Sequence, residues 1–345
     1  MSLLDKIRKN STIKESAVLC ESKILLEKDV IPTEIPSLNI LLSGSLTGGL
    51  TPGLTIFAGP SKHFKSLFSL IMAEAYLKKY PESVLLFYDN EFGSPISYFE
   101  SIGIDTNRVV HTPISTVEDL KHDLTNQLNN IERGDKVIII IDSIGNLASN
   151  KEVEDAIDGK NVADMTRAKA LKSLFRIITS KLTIKDIPLV CISHTYDTME
   201  MFSKQVLSGG KGQVYAADNI YIIGRQQEKD GTELTGYNFV VNVEKSRHCK
   251  EKSKIPITVS FDGGLNKYSG LLDIAIDLGY VVKPKNGWYA KVNIDTGEVE
   301  EKNYRMADTN NHEFWDSILS NQKFHAAIKN KFKMSNGAIL NDDKI

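Results

Sequence analysis

Short, uninterrupted apolar runs of strand length recur through the first two thirds of the chain, and each stops at a polar residue or a glycine. Thr55, Ile56, Phe57 and Ala58 stop at Gly59; Val84, Leu85, Leu86, Phe87 and Tyr88 stop at Asp89, Asn90 and Glu91. Val137 and the four isoleucines to Ile141 stop at Asp142 and Ser143, and Leu189, Val190, Cys191 and Ile192 stop at Ser193 and His194. Between the runs the apolar period becomes helical. Leu67, Leu70, Ile71 and Ala75 form one such stripe, residues 117–131 another, and Ala168, Leu171, Phe175 and Ile178 a third. Apolar strands alternating with helices predict an α/β fold, a parallel sheet covered on both faces. In such sheets ligands bind beyond the carboxyl ends of the strands, where Gly59, Glu91, Asp142 and His194 all fall.

The second half of the chain has a different rhythm. Residues 220–223 and 237–243 enclose an Asp230–Gly231 turn signal, and residues 255–261 alternate, which predicts an antiparallel extension of the sheet. From Gly270 the period is helical again, and Asn286 and Gly287 mark a hairpin in a small C-terminal domain. Residues 1–28 read as helix without a full apolar face, either a frayed leader or an arm that packs on another subunit. Pro32 and Pro36 hold residues 31–36 extended, and the glycines of 43–53 turn the chain into the first strand. The expected divisions are an arm over 1–30, a core over 31–268 and a C-terminal domain over 269–345, with residues 336–345 poorly ordered.

Composition narrows the function classes. A chain of 345 residues with 41% hydrophobic positions can fill a large core, and a net charge of −2 excludes coating of nucleic acid by bulk charge while leaving room for a local basic groove. Cys20, Cys191 and Cys249 form no CxxC pair, so neither a zinc site nor a disulfide framework is expected. No apolar run approaches ~18 residues and the first residues lack a signal-peptide block, which predicts a cytoplasmic protein away from membranes.

The chemistry concentrates on residues 59–66: Gly59, Pro60, Ser61, Lys62, His63, Phe64, Lys65 and Ser66. A glycine after a buried strand, a polar loop and Lys-Ser opening a helix are the parts of a phosphate-binding loop, in which backbone N–H groups face a polyphosphate. Lys65 would place its charge on the β- and γ-phosphates, and the Ser66 hydroxyl would enter a Mg²⁺ shell. Phe64 breaks the pattern where a glycine is usual. Asp142 is placed to hold Mg²⁺ through water, and Glu91 or Asp89 to polarise an attacking water. After His194 comes a long loop in which Met199, Met201, Phe202 and Lys204 precede Gly209, Gly210 and Lys211. Apolar tips beside lysines and glycines suit contact with nucleic-acid bases and phosphates. Arg167, Lys169, Lys172 and Arg176 lie off the third helical stripe, and Lys245, Arg247, Lys250, Lys252 and Lys254 form a second basic cluster; composition alone reads both as solvated faces.

The order and spacing of residues 59–66, 88–91 and 141–143, and of the loop after His194, resemble the RecA-type recombinases. Residues 131–134, 242–247 and 282–290 are similar, more closely, to the UvsX recombinases of T-even-like phages, over about 20–332. The resemblance implies a RecA-like ATPase core and a DNA-dependent ATPase that forms helical filaments on single-stranded DNA and exchanges strands with homologous duplex DNA. The alternative within the superfamily is a ring-forming motor such as a replicative helicase. ATP and Mg²⁺ are the implied cofactors; a single-strand-binding protein and a mediator that loads the filament are implied partners. It makes Glu91 the catalytic glutamate, adds Leu67 to the nucleotide contacts, stacks Tyr98 on the adenine and gives His194 a γ-phosphate-sensing position. Residues 151–164, with Arg167 beyond them, and 195–212 become DNA-binding loops. Lys245 and Arg247 reach the ATP of a neighbouring subunit, and the C-terminal domain faces duplex DNA.

Overall fold

The computed structural model describes residues 2–26, 28–160, 165–198, 205–294 and 296–334. The strands are β1 (Gly53–Ala58), β2 (Val84–Asp89), β3 (Val109–Pro113), β4 (Val137–Asp142), β5 (Pro188–Ser193), β6 (Thr195–Asp197), β7 (Gln205–Leu207), β8 (Asn219–Asp230), β9 (Glu233–Lys245), β10 (Lys254–Ser260) and β11 (Gly264–Leu265). Among the described residues, one sheet of nine strands has the order β11-β10-β9-β8-β1-β5-β4-β2-β3. The expected fold class holds, with one boundary moved. Residues 220–223 were expected in the antiparallel extension, but β8 runs parallel to β1, and the antiparallel part begins with β9. The edge strand β3 has no apolar run; it is half exposed because nothing pairs beyond it.

The isoleucine run shows why the sheet lies where it does. Successive strand residues point to opposite faces, so Ile138 and Ile140 enter one core while Ile139 and Ile141 enter the other. All four are fully buried, each contributing about 1.5–3 kcal/mol. Helix Val117–Asn130 starts where the Thr116 hydroxyl accepts from the Asp119 N–H, and it buries Val117, Leu120, Leu124 and Leu128 at helical spacing. Beside it helix Thr166–Lys185 buries Leu171, Leu174, Phe175, Ile178 and Leu182.

On the opposite face the core continues into the C-terminal elements. Helix Leu271–Asp277, a three-stranded sheet of β12 (Val281–Lys285), β13 (Trp288–Val292) and β14 (Val299–Arg305), and helices His312–Leu319 and Gln322–Phe332 contribute Trp315, Phe324 and Phe332 to the same apolar cluster as Phe57 and Phe68. Asn286 and Gly287 form the tip between β12 and β13, with Gly287 at φ +75°. The N-terminal segments Leu3–Lys9 and Lys23–Leu26 bury nothing within the chain, and Leu3, Ile7 and Leu26 are exposed. Residues 336–345 lie outside the described residues.

Candidate active site

Parallel strands order the site. β1, β5, β4 and β2 are successive neighbours, so the loop after β1 and the turn after β2 stand about 14 Å apart at ~4.8 Å per strand. That span accommodates a triphosphate, a hydrated cation and a water. Around it lies a cleft of about 730 Å³, lined by residues 61–67, Glu91, Tyr98, Asp142 and His194. The structure thus brings together most of the expected nucleotide residues in one cleft.

The phosphate loop explains its own irregularity. Phe64 sits at φ +62° and ψ +16°, the left-handed region for which glycine is the usual choice. Its ring stacks on Phe239 (4.7 Å between centroids, 16°) and meets Phe68 edge-on, and both contacts belong to the main apolar core. Helix Lys65–Lys79 begins at the next residue. Lys65 is buried, and its ammonium donates to the Pro60 carbonyl at 2.8 Å. Burial holds its pKa below the ordinary lysine value, against the opposing pull of Glu91 and Asp142. His63 bonds the Ser61 carbonyl at 2.8 Å. At Gly59 a Cβ would stand 2.8 Å from the Ile223 carbonyl oxygen, so only glycine lets the loop leave the sheet there.

Ser66 Oγ donates to Asp142 Oδ2 at 2.7 Å, reaching over the end of β5. Asp142 is 3% exposed, and burial pushes its carboxyl up to about 6. Its Oδ1 is buried without a hydrogen-bond partner. A hydroxyl, a carboxylate and an orphaned carboxylate oxygen at a phosphate loop are the hard oxygen donors that Mg²⁺ prefers. Among the described residues there is no cluster of three or more His, Cys, Asp or Glu able to hold a metal ion unaided. These residues therefore fit a cation that shares its shell with phosphate and water.

Asp89 and Glu91, left open by spacing, occupy different surroundings. Asp89 is buried, and its Oδ1 accepts the N–H groups of Glu91 and Phe92 at 3.0 and 2.9 Å. Glu91 is turned into the cleft. Its Oε1 accepts from Ser143 Oγ, from His194 Nε2 at 2.8 Å and from Asn146 Nδ2 at 3.3 Å. The His194 and Ser143 hydrogen bonds, His194 first, hold its carboxyl below the usual glutamate range against the opposing effect of burial. His194 fits because the neighbour is glycine: a Cβ on Gly145 would come within 2.2 Å of the imidazole.

Beyond His194 the chain is not one irregular loop. β6 pairs with β7, the Ser208 N–H donates to the His194 carbonyl at 2.9 Å, and helix Lys211–Ala216 follows Gly210. Gly209 and Gly210 both take left-handed backbone, at φ +89° and +84°, and Lys211 is exposed. Met199, Met201, Phe202 and Lys204 lie outside the described residues. Arg167 donates to the carbonyls of Ile144, Gly145 and Leu147 at 2.9, 2.7 and 2.5 Å, so its guanidinium pins the turn after β4.

Lys245 and Arg247 stand away from this cleft. Lys245 Nζ caps the end of helix Lys211–Ala216, donating to Val214 and Ala217 carbonyls at 2.8 and 2.6 Å. Arg247 pairs with Asp218, whose other oxygen accepts from the Leu54 N–H at 3.0 Å. Leu54 is at the start of β1 and the phosphate loop at its end, about 16 Å away at ~3.3 Å per residue.

Sequence reasoning missed three parts of the cleft. Ser143 directly follows Asp142 and binds Glu91. Arg225 lies over Tyr237 (4.7 Å) with Nη1 donating to the Lys62 carbonyl at 3.4 Å. Tyr237 and Phe261, edge-to-face at 5.8 Å, add aromatic rings to the lining of the cleft that Tyr98 also lines. Arg225 could have been found as the first charged residue beyond the apolar run 220–223, after Gly224, had that run been recognised as parallel.

The sheet and cleft define the class: a P-loop protein with a RecA-like core. Residues 268–328 match the family model described as the C-terminal domain of the bacteriophage T4 recombination and repair protein. The whole chain is 55% identical over 341 residues to the recombination and repair protein of Enterobacteria phage T4, covering 98% of this chain and 87% of that one. It is 25% identical over 282 residues to protein RecA of Chloroherpeton thalassium, covering 80% and 76% of the two chains. It is also 25% identical over 294 residues to protein RecA of Kineococcus radiotolerans, covering 84% and 81%. The chain belongs to the UvsX family of RecA-type recombinases.

Proposed function

We propose that this chain hydrolyses ATP in a DNA-dependent manner while assembled as a helical filament on single-stranded DNA, and that the filament pairs homologous duplex DNA and exchanges strands. The observation that carries the reading is the contact of Glu91 with His194 at the root of the β6–β7 hairpin. It joins the nucleotide cleft to the segment whose composition suits DNA. Lys65 would contact the β- and γ-phosphates, and Ser66 and Asp142 would hold Mg²⁺, whose chemistry there is neutralisation of phosphate charge. Glu91 orients the attacking water as a carboxylate accepting its hydrogen bond, a role of position rather than of raised basicity. Leu67 closes the loop onto its helix, and Tyr98 offers a ring for the adenine.

Lys245 and Arg247 are too far from their own phosphate loop to serve it, which supports their acting on a neighbour's ATP. The exposed apolar side chains of the N-terminal arm support packing against that neighbour. Gly209, Gly210 and Lys211, with 199–204, form the DNA-contacting loop of this reading; Arg167 acts in it by fixing the turn beneath. On the C-terminal sheet exposed Arg305 lies over Trp288 at 3.9 Å, a basic and aromatic pair suited to duplex DNA, while Tyr289 and Tyr304 point to the other face and are buried beneath Lys283 and Lys302. A single-strand-binding protein and a loading mediator are the further partners of such a filament. Among the described residues no helix is long and apolar enough to cross a membrane, in keeping with work in the host cytoplasm.

The test is ATP hydrolysis with and without single-stranded DNA over a salt series, followed by strand exchange. Strong stimulation that fades with salt is expected, because phosphate contacts release counterions. Turnover indifferent to DNA, or closed rings without filaments in electron micrographs, would overturn the recombinase mechanism.

A further inference from the structure

The turn that carries Glu91 separates two cavities. The nucleotide cleft lies on one side; on the other is a second cavity of about 490 Å³ lined by Phe87, Asp89, Phe92 and His111. Ser94 and Pro95 line both. Asp89 Oδ1 holds the turn from beneath through the N–H groups of Glu91 and Phe92. Phe92 takes φ +53°, a left-handed value that a phenylalanine keeps only when its surroundings impose it.

The other oxygen of Asp89 lies 3.2 Å from Nε2 of His111 on β3. Facing a carboxylate oxygen, that ring nitrogen is the donor of the pair. The imidazole is fixed on both flanks, over the Phe87 ring at 5.8 Å and edge-on to Phe92 at 6.4 Å. Asp89 is also the cross-strand partner of Asp142, which sets two buried carboxylates side by side. A buried carboxylate beside another is held in place by the donors around it. His111 supplies the one that comes from outside the turn.

We propose that His111 is a positioning residue for ATP hydrolysis: acting through Asp89, it fixes the turn that aims Glu91 into the nucleotide cleft. The proposal rests on Glu91 serving as the general base. Without the imidazole donor, Asp89 is free to rotate, and the two N–H groups that define the turn lose their fixed acceptor. Glu91 then shifts relative to the γ-phosphate, while the phosphate loop, on the far side of β5 and β4, keeps its shape.

The test compares His111→Leu, which removes the donor, with His111→Gln, which restores an N–H at the same reach. DNA-stimulated ATP hydrolysis is measured beside nucleotide affinity and the thermal midpoint, with Glu91→Gln as the control. Expected is a fall in kcat of about 10- to 100-fold for the leucine variant, the scale of a small misplacement of a catalytic group, with KM within about twofold and most of kcat recovered in the glutamine variant. His111→Phe, which keeps a ring over Phe87, gives the same reading where the leucine variant does not fold. Equal kcat in wild type and leucine variant, or equal loss in the leucine and glutamine variants, overturns the positioning role. Glu91→Gln turning over at the wild-type rate overturns the general-base reading and the proposal with it. An inactive Glu91→Gln beside a fully active His111→Leu overturns the positioning role alone.

Discussion

Phe64→Gly restores the residue that the phosphate-loop pattern asks for, yet the structure predicts that it destabilises the protein. The backbone favours it: a left-handed conformation costs an L-residue about 1–2 kcal/mol, of which glycine's greater freedom in the unfolded chain cancels about 0.5–1 kcal/mol. The side chain opposes it. The half-buried ring stacks on Phe239 and meets Phe68 edge-on. Removing a fully buried phenylalanine costs about 3–5 kcal/mol, and half that burial leaves about 2 kcal/mol. Aromatic pairing adds about 0.5–1.5 kcal/mol. The net loss is then about 2 kcal/mol for Phe64→Gly and about 1 kcal/mol more for Phe64→Ala, which loses the ring and keeps the strain. Urea unfolding of the nucleotide-free protein, followed by far-ultraviolet circular dichroism, reads the order directly: wild type above glycine, glycine above alanine. A glycine variant as stable as wild type would refute the claim that aromatic packing outweighs backbone strain at this position.

Four further substitutions probe other links. Gly145→Ala places a methyl against the His194 imidazole and is expected to abolish most DNA stimulation of ATP hydrolysis while lowering the DNA-independent rate less; equal loss of both rates would place the damage in the nucleotide cleft itself. Arg247→Ala and Lys65→Ala are each expected to lose about 10²-fold or more in turnover, but mixing them should restore activity if Arg247 serves a neighbour; a mixture as inactive as its components contradicts action in trans. Asp142→Asn tests burial. Because the folded carboxyl titrates at about 6, above its ordinary 3.8, wild type binds a proton more tightly when folded. Its stability relative to the asparagine variant should therefore fall as pH rises from about 4 to about 6, by at most about 3 kcal/mol, and level off above. Denaturant midpoints of both proteins without nucleotide check this, and a flat difference across that window removes burial as the cause.

What could be read in the chain before its structure follows from burial. Runs such as 137–141 declare themselves because both faces of the strand are covered, so no polar residue interrupts them. β3 was missed for the opposite reason: at the sheet edge Val110, His111 and Pro113 are exposed, Val109 and Thr112 only half-buried, and the strand shows no apolar run. The helix Pro36–Ser43 was hidden behind its own proline, which disfavours helix before it but starts one readily. Within the site, residues at strand ends were legible because topology brings strand ends together. Ser143, Arg225 and His111 were not, since their roles depend on which side chain faces them across strands, and spacing along one strand does not encode that.

The same distinction bears on how nucleotide and DNA are linked. The phosphate loop and Asp142 are fixed by strands and a long helix, so their geometry is set by the core. Glu91 is held differently, by single hydrogen bonds from Ser143, His194 and Asn146 on one side and by the Asp89 turn on the other. His194 belongs at once to this set and to the hairpin, through the bond from Ser208 to its carbonyl and the β6–β7 pairing one residue on. Behind it Arg167 fixes the turn that presents Gly145 to the imidazole. A shift of the hairpin would therefore reach Glu91 through the His194 side chain, while the phosphate loop stays anchored in the core. In the proposed mechanism that asymmetry would leave nucleotide binding to the rigid core and let a segment in contact with DNA position the base.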